Sequence, residues 1–502
     1  MINLEIMRIV LIVSLVIITA VVVSGCATKG VATRVTGNAA EGGPGNAWYI
    51  ESKNTSSKLP YSCSFVEFDE RGDYLNFAQQ QDSWRKIEEI AKAHRMLLVV
   101  YCHGWKNSAQ SGDVVSFVHF LGRLAASQEI STKGFRVHGL YLGWRGNQFR
   151  PYVDRNSEAF RDTKREFGGP IVDQKYARKY DWTLAIPETL TYWSRKGAAE
   201  AKVSGVPIAR TIFEAASAAK QFSLPGSTNK VIVVGHSFGA LMLEKAFGQA
   251  SVGAITQEWP WRDMANVAPE KSIRSGLPVD CTLFINSAAP SLYAKELSDF
   301  MWANENARRG SNATVNAGSP LIISITSSAD WATRVAHRWA NVFAPLYPSL
   351  QRKYRDGVLK ADPNKNPQFI AVPQAYFYEH TPGHNPLLVD HWIVKTTPTA
   401  TTPPNDSQQI LEANLSPPPV NESASVFYTS SKTNVVTWNI GRVPDPPNWS
   451  QYHGYSPVRR GNYWVIRCNG ELIASHTAIW TENTMELYAA LLRLTYANPP
   501  PK

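Results

Sequence analysis

The chain has 502 residues, 44% of them hydrophobic, so it can bury a large core and is too apolar for a disordered polypeptide. Its 51 Lys and Arg outnumber 41 Asp and Glu, a net charge of +10, but the basic residues are dispersed, with only short pairs such as Arg308-Arg309 and Arg459-Arg460. Without an Arg/Lys-rich, aromatic-interleaved stretch no nucleic-acid partner is expected, and the charge suits a solvated surface or anionic lipid headgroups.

At the N-terminus, Ile9 to Val23 is an apolar stretch, interrupted only by Ser14 and Thr19, closed by Ser24-Gly25-Cys26. It falls short of the roughly 20 apolar residues that span a bilayer. The pattern resembles the lipobox of bacterial lipoproteins. The resemblance implies that residues 1–25 are a signal peptide cut before Cys26, whose thiol then carries a diacylglycerol and whose amino group is acylated. It implies a membrane partner through Cys26 and a place in the cell envelope. Ala27, where an aspartate would signal inner-membrane retention, favours the outer membrane of a Gram-negative cell. Glu5 offsets Arg8 in the leading segment, so a start at Met7 is an alternative, and signal removal leaves the net charge unchanged. Residues 26–60, rich in Gly, Ala, Ser, Thr and Asn, are expected to form a flexible tether, with the folded domain over 61–502.

Within that domain the first strong strand signal is Met96 to Cys102, which runs into His103-Gly104-Trp105. Residues 114–126 carry Val, Phe and Leu at helical spacing. Phe135 to Gly143 predicts a strand leading to Trp144-Arg145-Gly146, and 208–222 a helix. Val231 to Val234 then delivers the chain into Gly235-His236-Ser237-Phe238-Gly239, followed by a helical stretch over 240–250. Cys281 to Asn286, Leu321 to Thr326 and Tyr463 to Cys468 are further strand signals, and 482–496 a closing helix. This alternation predicts an α/β fold on a mostly parallel, doubly wound sheet of about six near-continuously apolar strands. Three excursions interrupt it: 147–204 with Trp182, Tyr192 and Trp193; 257–276 with Trp259-Pro260-Trp261; and 332–462, whose Pro/Thr-rich part at 396–419 reads as an exposed loop. Cys63, Cys102, Cys281 and Cys468 lack metal-ligand spacing. The last three lie in or beside predicted strands, which suits buried free thiols, although a disulfide stays open.

Gly235-His236-Ser237-Phe238-Gly239 fits G-x-S-x-G, the elbow in which a serine on a strained strand-to-helix turn is flanked by glycines because side chains there would strike neighbouring chain. On this motif, with HGW at 103–105, LGWRG at 142–146 and SHTAIW at 475–480, the chain from about residue 90 resembles the α/β-hydrolase superfamily, specifically a mostly uncharacterised group of bacterial serine hydrolases. The resemblance implies a fold and a Ser, acid, His order, and no particular substrate. It implies Ser237 as nucleophile and Asp330, beyond the second strand after the elbow, as the acid; the alternative is that Asp330 only caps a helix starting near Trp331. His476, between the last strand and the closing helix, is the implied base. Its distance from Asp330 in the chain is far longer than usual in that superfamily, and His380, His384 and His391 are rivals, His380 first because 375–378 can be read as a strand. His103-Gly104 is similar to an oxyanion loop, so the backbone amides of Trp105 and Phe238 are expected to donate to an oxyanion. His103 and His236 are expected to be structural. The excursion 147–204 lies where the superfamily places cap elements.

The expected activity is hydrolysis of a carboxylic ester, a small molecule or a lipid, through an acyl-enzyme. Peptidase, thioesterase and acyltransferase chemistry use the same three residues. A different class of function is a surface lipoprotein that uses the scaffold for binding or envelope architecture without catalysis. No zinc spacing, nucleotide loop or cofactor motif occurs, and neither metal nor cofactor is expected.

Overall fold

A computed structural model describes residues 32–34, 44–53, 60–146, 153–173, 192–199, 206–222, 229–256, 279–299, 321–337, 355–362, 365–385, 387–389, 391–396, 427–429, 437–442, 456–457 and 463–493. Its strands in chain order are β1 (Tyr49–Glu51), β2 (Ser62–Glu67), β3 (Met96–Cys102), β4 (Arg136–Gly143), β5 (Lys230–His236), β6 (Cys281–Ile285), β7 (Ile322–Ser327), β8 (Arg355–Asp362), β9 (Lys365–Pro373), β10 (His391–Thr396), β11 (Phe427–Thr429), β12 (Thr437–Arg442), β13 (Ser456–Pro457) and β14 (Tyr463–Cys468). Eleven of them make one sheet in the order β1-β2-β4-β3-β5-β6-β7-β14-β10-β12-β11; β13, β8 and β9 form a small separate sheet. Every pairing from β2 through β10 is parallel, while β1 at one edge and β12 and β11 at the other are antiparallel.

The longer helices are α1 (Phe77–Ala93), α2 (Gly112–Ala126), α3 (Glu158–Phe167), α4 (Val206–Lys220), α5 (Phe238–Thr256) and α6 (Glu482–Arg493). Pleating divides each central strand between two cores. Met96, Leu98, Val100 and Cys102 of β3 pack with residues of α1, α4 and α5 on one face, and Leu97, Val99 and Tyr101 pack with α2 and α6 on the other. All of β3 is buried, which is why it reads as an unbroken apolar run, each such side chain contributing about 1.5–3 kcal/mol. The protein is therefore an α/β protein built on a mostly parallel sheet covered on both faces. Local capping agrees: the Asn76 side chain accepts from the amides of Ala78 and Gln79 to open α1, and Gly168, at φ 73°, closes α3.

The sheet is wider than the sequence reading of about six strands. The excursion over 332–462 supplies β10, β12 and β11, which extend the sheet beyond β14, together with the β8–β9 hairpin. Residues 375–378, read as a possible strand, lie instead in a short helix, Gln374–Glu379, with Phe377 buried; a short apolar run does not distinguish the two conformations. The excursion over 147–204 divides. Phe160, Phe167, Ile171 and Val172 join the core around α2, so 153–173 flanks the sheet rather than capping its mouth. The short helix Tyr192–Ala198 is held beside the exit of β4, where buried Arg195 donates to the Arg145 carbonyl (3.1 Å) and pairs with Glu70 (3.3 Å).

The tether expected over 26–60 is in part packed structure, because it can form buried polar bonds to the domain. Tyr49–Glu51 pairs with β2, and Arg34 is fully buried, its guanidinium donating to the carbonyls of Ala109, Ala47 and Ile171 at 3.0, 3.0 and 2.8 Å. Residues 1–25, Cys26, Trp182, the excursion over 257–276 and the Pro/Thr-rich stretch over 397–419 lie outside the described residues. Among the described residues no helix is long and apolar enough to cross a membrane. Cys63, Cys102, Cys281 and Cys468 are free and buried, and burial pushes the Cys63 and Cys468 thiols up to about 12.

Candidate active site

The strand order changes direction at β3: the chain moves outward to β4 and then returns to β5 on β3's other side. Such a switch point opens a crevice beyond the carboxyl ends of the two strands. The loop after β3 begins with His103-Gly104-Trp105, and β5 ends at His236, so Ser237 stands at that crevice.

The elbow has the steric character its glycines suggest. Ser237 has φ 55°, a left-handed conformation that a serine adopts at a cost. A Cβ at Gly239 would lie 2.1 Å from the Cys102 carbonyl oxygen, and one at Gly235 would lie 2.8 Å from the Ala240 Cα. The surrounding backbone holds the turn. The Ser237 amide donates to the Ile285 carbonyl (3.1 Å), and the Ser237 carbonyl accepts from Leu241 and Ala288 (3.0 and 3.2 Å). Behind it α5 buries Ala240, Leu241, Leu243 and Ala246, seating the serine on a helix sunk into the core.

Ser237, Asp330 and His476, remote in sequence, meet here. His476 Nε2 lies 2.7 Å from Ser237 Oγ, and His476 Nδ1 lies 2.9 Å from Asp330 Oδ2. Asp330 also caps the π-helical turn Ala332–Ala336: its Oδ1 accepts from the Thr333 amide (3.1 Å) while Oδ2 accepts from the Thr333 hydroxyl (2.5 Å). The capping and imidazole-holding readings of Asp330 are thus both satisfied, one by each oxygen. Its side chain is fully buried, and burial works to raise its pKa. The adjacent His476 and the bonds from His476 and Thr333 outweigh that, keeping the carboxyl below its usual range. An ionised Asp330 accepts from Nδ1–H, which leaves Nε2 as the acceptor for the serine proton.

The rival histidines are engaged elsewhere. His380 Nδ1 donates to the Tyr376 carbonyl (2.8 Å), and His391 stacks on Trp464 with ring centres 4.6 Å apart. His384 belongs to the surroundings of the acid: its Nε2 lies 3.2 Å from the Thr333 hydroxyl that bonds Asp330. Burial brings His384 down to about 3, so it is a neutral donor to Thr333.

His103 is structural, as expected. Its Nδ1 donates to the Gly104 carbonyl (2.8 Å), its Nε2 accepts from the Trp144 amide (3.1 Å), and Trp144 Nε1 donates to the His103 carbonyl (2.8 Å). Burial lowers it to about 4, consistent with a neutral ring. These bonds join the HGW and LGWRG motifs into one unit, with the Lys106 amide donating to Gly146 (2.9 Å). The unit packs against the elbow: the Trp105 and Phe238 rings stack with centres 6.2 Å apart, and a Cβ on Gly104 would lie 2.9 Å from Ser237 Cβ. Phe238 opens α5, and the leading amides of a helix have no carbonyl ahead of them within that helix.

Two groups hold His476 by its backbone. His236 Nε2 and Asn286 Nδ2 both donate to the His476 carbonyl, at 2.8 and 3.3 Å. His236 is neutral, since burial brings it down to about 3 with His476 adding to the effect. Asn286, at φ 46°, also accepts from the Ser327 amide through Oδ1 (3.0 Å), tying the exits of β6 and β7 to the His476 loop. Sequence reading placed Asn286 only at a strand end; the signal available was an asparagine, which tolerates left-handed backbone, at the carboxyl edge of a predicted parallel strand.

Among the described residues no group of three or more His, Cys, Asp or Glu side chains could hold a metal ion. Compared with protein-family models, curated proteins and solved structures, the chain has no match in any of the three.

Proposed function

We propose that the protein is a serine hydrolase of the α/β-hydrolase type that cleaves carboxylic esters through an acyl-enzyme, and that a lipidated Cys26 holds it at the cell envelope. The observation that carries the activity is the hydrogen-bonded line Ser237–His476–Asp330 at the switch point of the sheet. Ser237 Oγ attacks the ester carbonyl carbon while His476 Nε2 takes its proton. The resulting oxyanion faces the Trp105 and Phe238 amides. Collapse breaks the C–O bond, and His476 returns the proton to the departing alcohol. Water, activated by the same nitrogen, then releases the acid and restores Ser237. Asp330 keeps its charge throughout and holds the imidazole tautomer.

A fluorophosphonate probe tests this reading. The folded protein is expected to be labelled at one site, and Ser237→Ala to be unlabelled and inactive on short-chain aryl esters. Absence of labelling in the intact protein, or equal labelling of the Ser237→Ala variant, would remove the hydrolase reading and leave a binding scaffold.

A further inference from the structure

We propose that the protein rests on its membrane with the mouth of the Ser237 site turned toward the bilayer, so that its substrates are ester-bearing molecules presented at that lipid surface. The inference rests on the reading of Cys26 as lipidated; the structure contributes the length and the attachment point of the leash that follows it. Among the described residues the first fixed to the domain are Thr33 and Arg34. The Thr33 amide and hydroxyl donate to Glu67 Oε2 (3.1 and 2.7 Å), and the Arg34 amide donates to Glu67 Oε1 (2.9 Å). The Arg34 carbonyl accepts from Gln79 (3.1 Å), and its buried guanidinium lies 3.5 Å above the Phe65 ring in addition to its three carbonyl bonds. Covalent geometry limits residues 27–33 to about 25 Å of reach even when fully extended.

Glu67 is the last residue of β2. It lies opposite Gly143 of β4, whose neighbour in register, Leu142, faces Cys102 of β3, which in turn faces Gly235 of β5. The leash is therefore attached at the carboxyl edge of the sheet, the edge that carries Ser237, three strand positions or roughly 14 Å to one side. A compact chain of this length is roughly 60 Å across. With the sheet at the middle of such a body and β2 about 20 Å long, the buried attachment point would stand about 40 Å from the membrane if the opposite edge faced it, beyond what the leash spans. With the mouth down the distance is about 20 Å, which the leash spans. Trp331, directly after Asp330, is 66% exposed on this rim, and an indole is the side chain best suited to the boundary between headgroups and acyl chains.

The test uses the full-length lipoprotein in phosphatidylethanolamine/phosphatidylglycerol vesicles that contain a lipid with a nitroxide on its acyl chain. An environment-sensitive dye is attached in turn at Trp331→Cys, on the mouth rim, and at Lys133→Cys, exposed before the amino end of β4; the four native thiols of the domain are buried. The dye at 331 is expected to be quenched at least about threefold more than the dye at 133. Equal quenching, or stronger quenching at 133, in protein whose N-terminal mass shows the diacylglyceryl group overturns the orientation. An unlipidated N-terminus is seen by mass alone and removes the premise, and hydrolysis of a soluble ester by the same samples reports separately on the hydrolase reading. Inserting about twenty Gly/Ser residues after Lys29 frees the orientation and is expected to equalise the two sites. Persistence of the contrast in that variant would show that the leash does not set it.

Discussion

Asp330→Asn separates the charge of the acid from its shape. The amide is nearly isosteric, so an oxygen at the Oδ1 position can still accept from the Thr333 amide, while the Thr333 hydroxyl, which donates to Oδ2, must turn round to accept from the new NH2, and the loop after β7 should keep its form. What changes is the atom offered to His476. With an amide nitrogen in place of the carboxylate oxygen 2.9 Å from Nδ1, the imidazole must turn a lone pair to that new donor and carry its proton on Nε2, where it can no longer accept from Ser237. Because Asp330 is fully buried, no water can substitute for the lost charge. A tautomer error of this kind lowers kcat by about four orders of magnitude, or about 5.5 kcal/mol of transition-state stabilisation. The assay is steady-state hydrolysis of a short-chain aryl ester near neutral pH, accompanied by the rate of fluorophosphonate labelling and by the thermal midpoint. A loss below about tenfold with the thermal midpoint unchanged would refute the assignment of Asp330 as the group that orients the base.

Asn286→Ala removes one of the two donors to the His476 carbonyl and the acceptor for the Ser327 amide, so kcat is expected to fall about 10- to 100-fold with KM little changed; a KM effect alone would contradict a positioning role. Glu244 in α5 is buried with neither carboxylate oxygen in hydrogen-bond contact, and burial, only partly offset by nearby Ser287, pushes its carboxyl up from 4.5 to about 8. The unfolded chain therefore loses this proton before the folded one does, and stability falls between about pH 4.5 and 8, by at most roughly 5 kcal/mol. Denaturant titrations should show Glu244→Met stabilised at pH 8 and near neutral at pH 4.5, and an equal gain at both would sink the account. Gly239→Ala places a methyl 2.1 Å from the Cys102 carbonyl oxygen, and soluble expression or the thermal midpoint should collapse while Gly197→Ala, whose added Cβ meets no neighbouring group within 4 Å, is tolerated.

The parts of the fold visible in the sequence are those in which one short segment carries the whole signal. β3, β5 and β14 are interior parallel strands and read as apolar runs, and the glycines around Ser237 advertise a turn that no other residue fits. β2 escaped because its interior is partly polar. Ser62 and Ser64 face inward to the two ring nitrogens of buried His138, at 2.9 and 3.1 Å, so a buried strand has the composition of a loop until its distant partner is known. The widening of the sheet by β10, β12 and β11 was hidden for a similar reason, as these strands gain their identity only from β14. At the site, Ser237, Asp330 and His476 were singled out by the residue order of the superfamily that the sequence resembles, and the structure brings the three side chains together. The clamp of His236 and Asn286 on a carbonyl, and the contact of His384 with Thr333, depend on side chains meeting across distant loops, which no spacing rule encodes.

The position of β14 sets the timing of assembly. Among the described strands this one is made last, and it lies between two made earlier, pairing with β7 on one side and β10 on the other, while the loop that follows it carries His476. A nascent chain lacking that stretch can form neither the join between β7 and β10 nor the contact of His476 with Ser237. The sheet thus stays incompletely zipped until residues 463–476 have been made, and under the proposed function any acyl transfer is confined to the chain that has them.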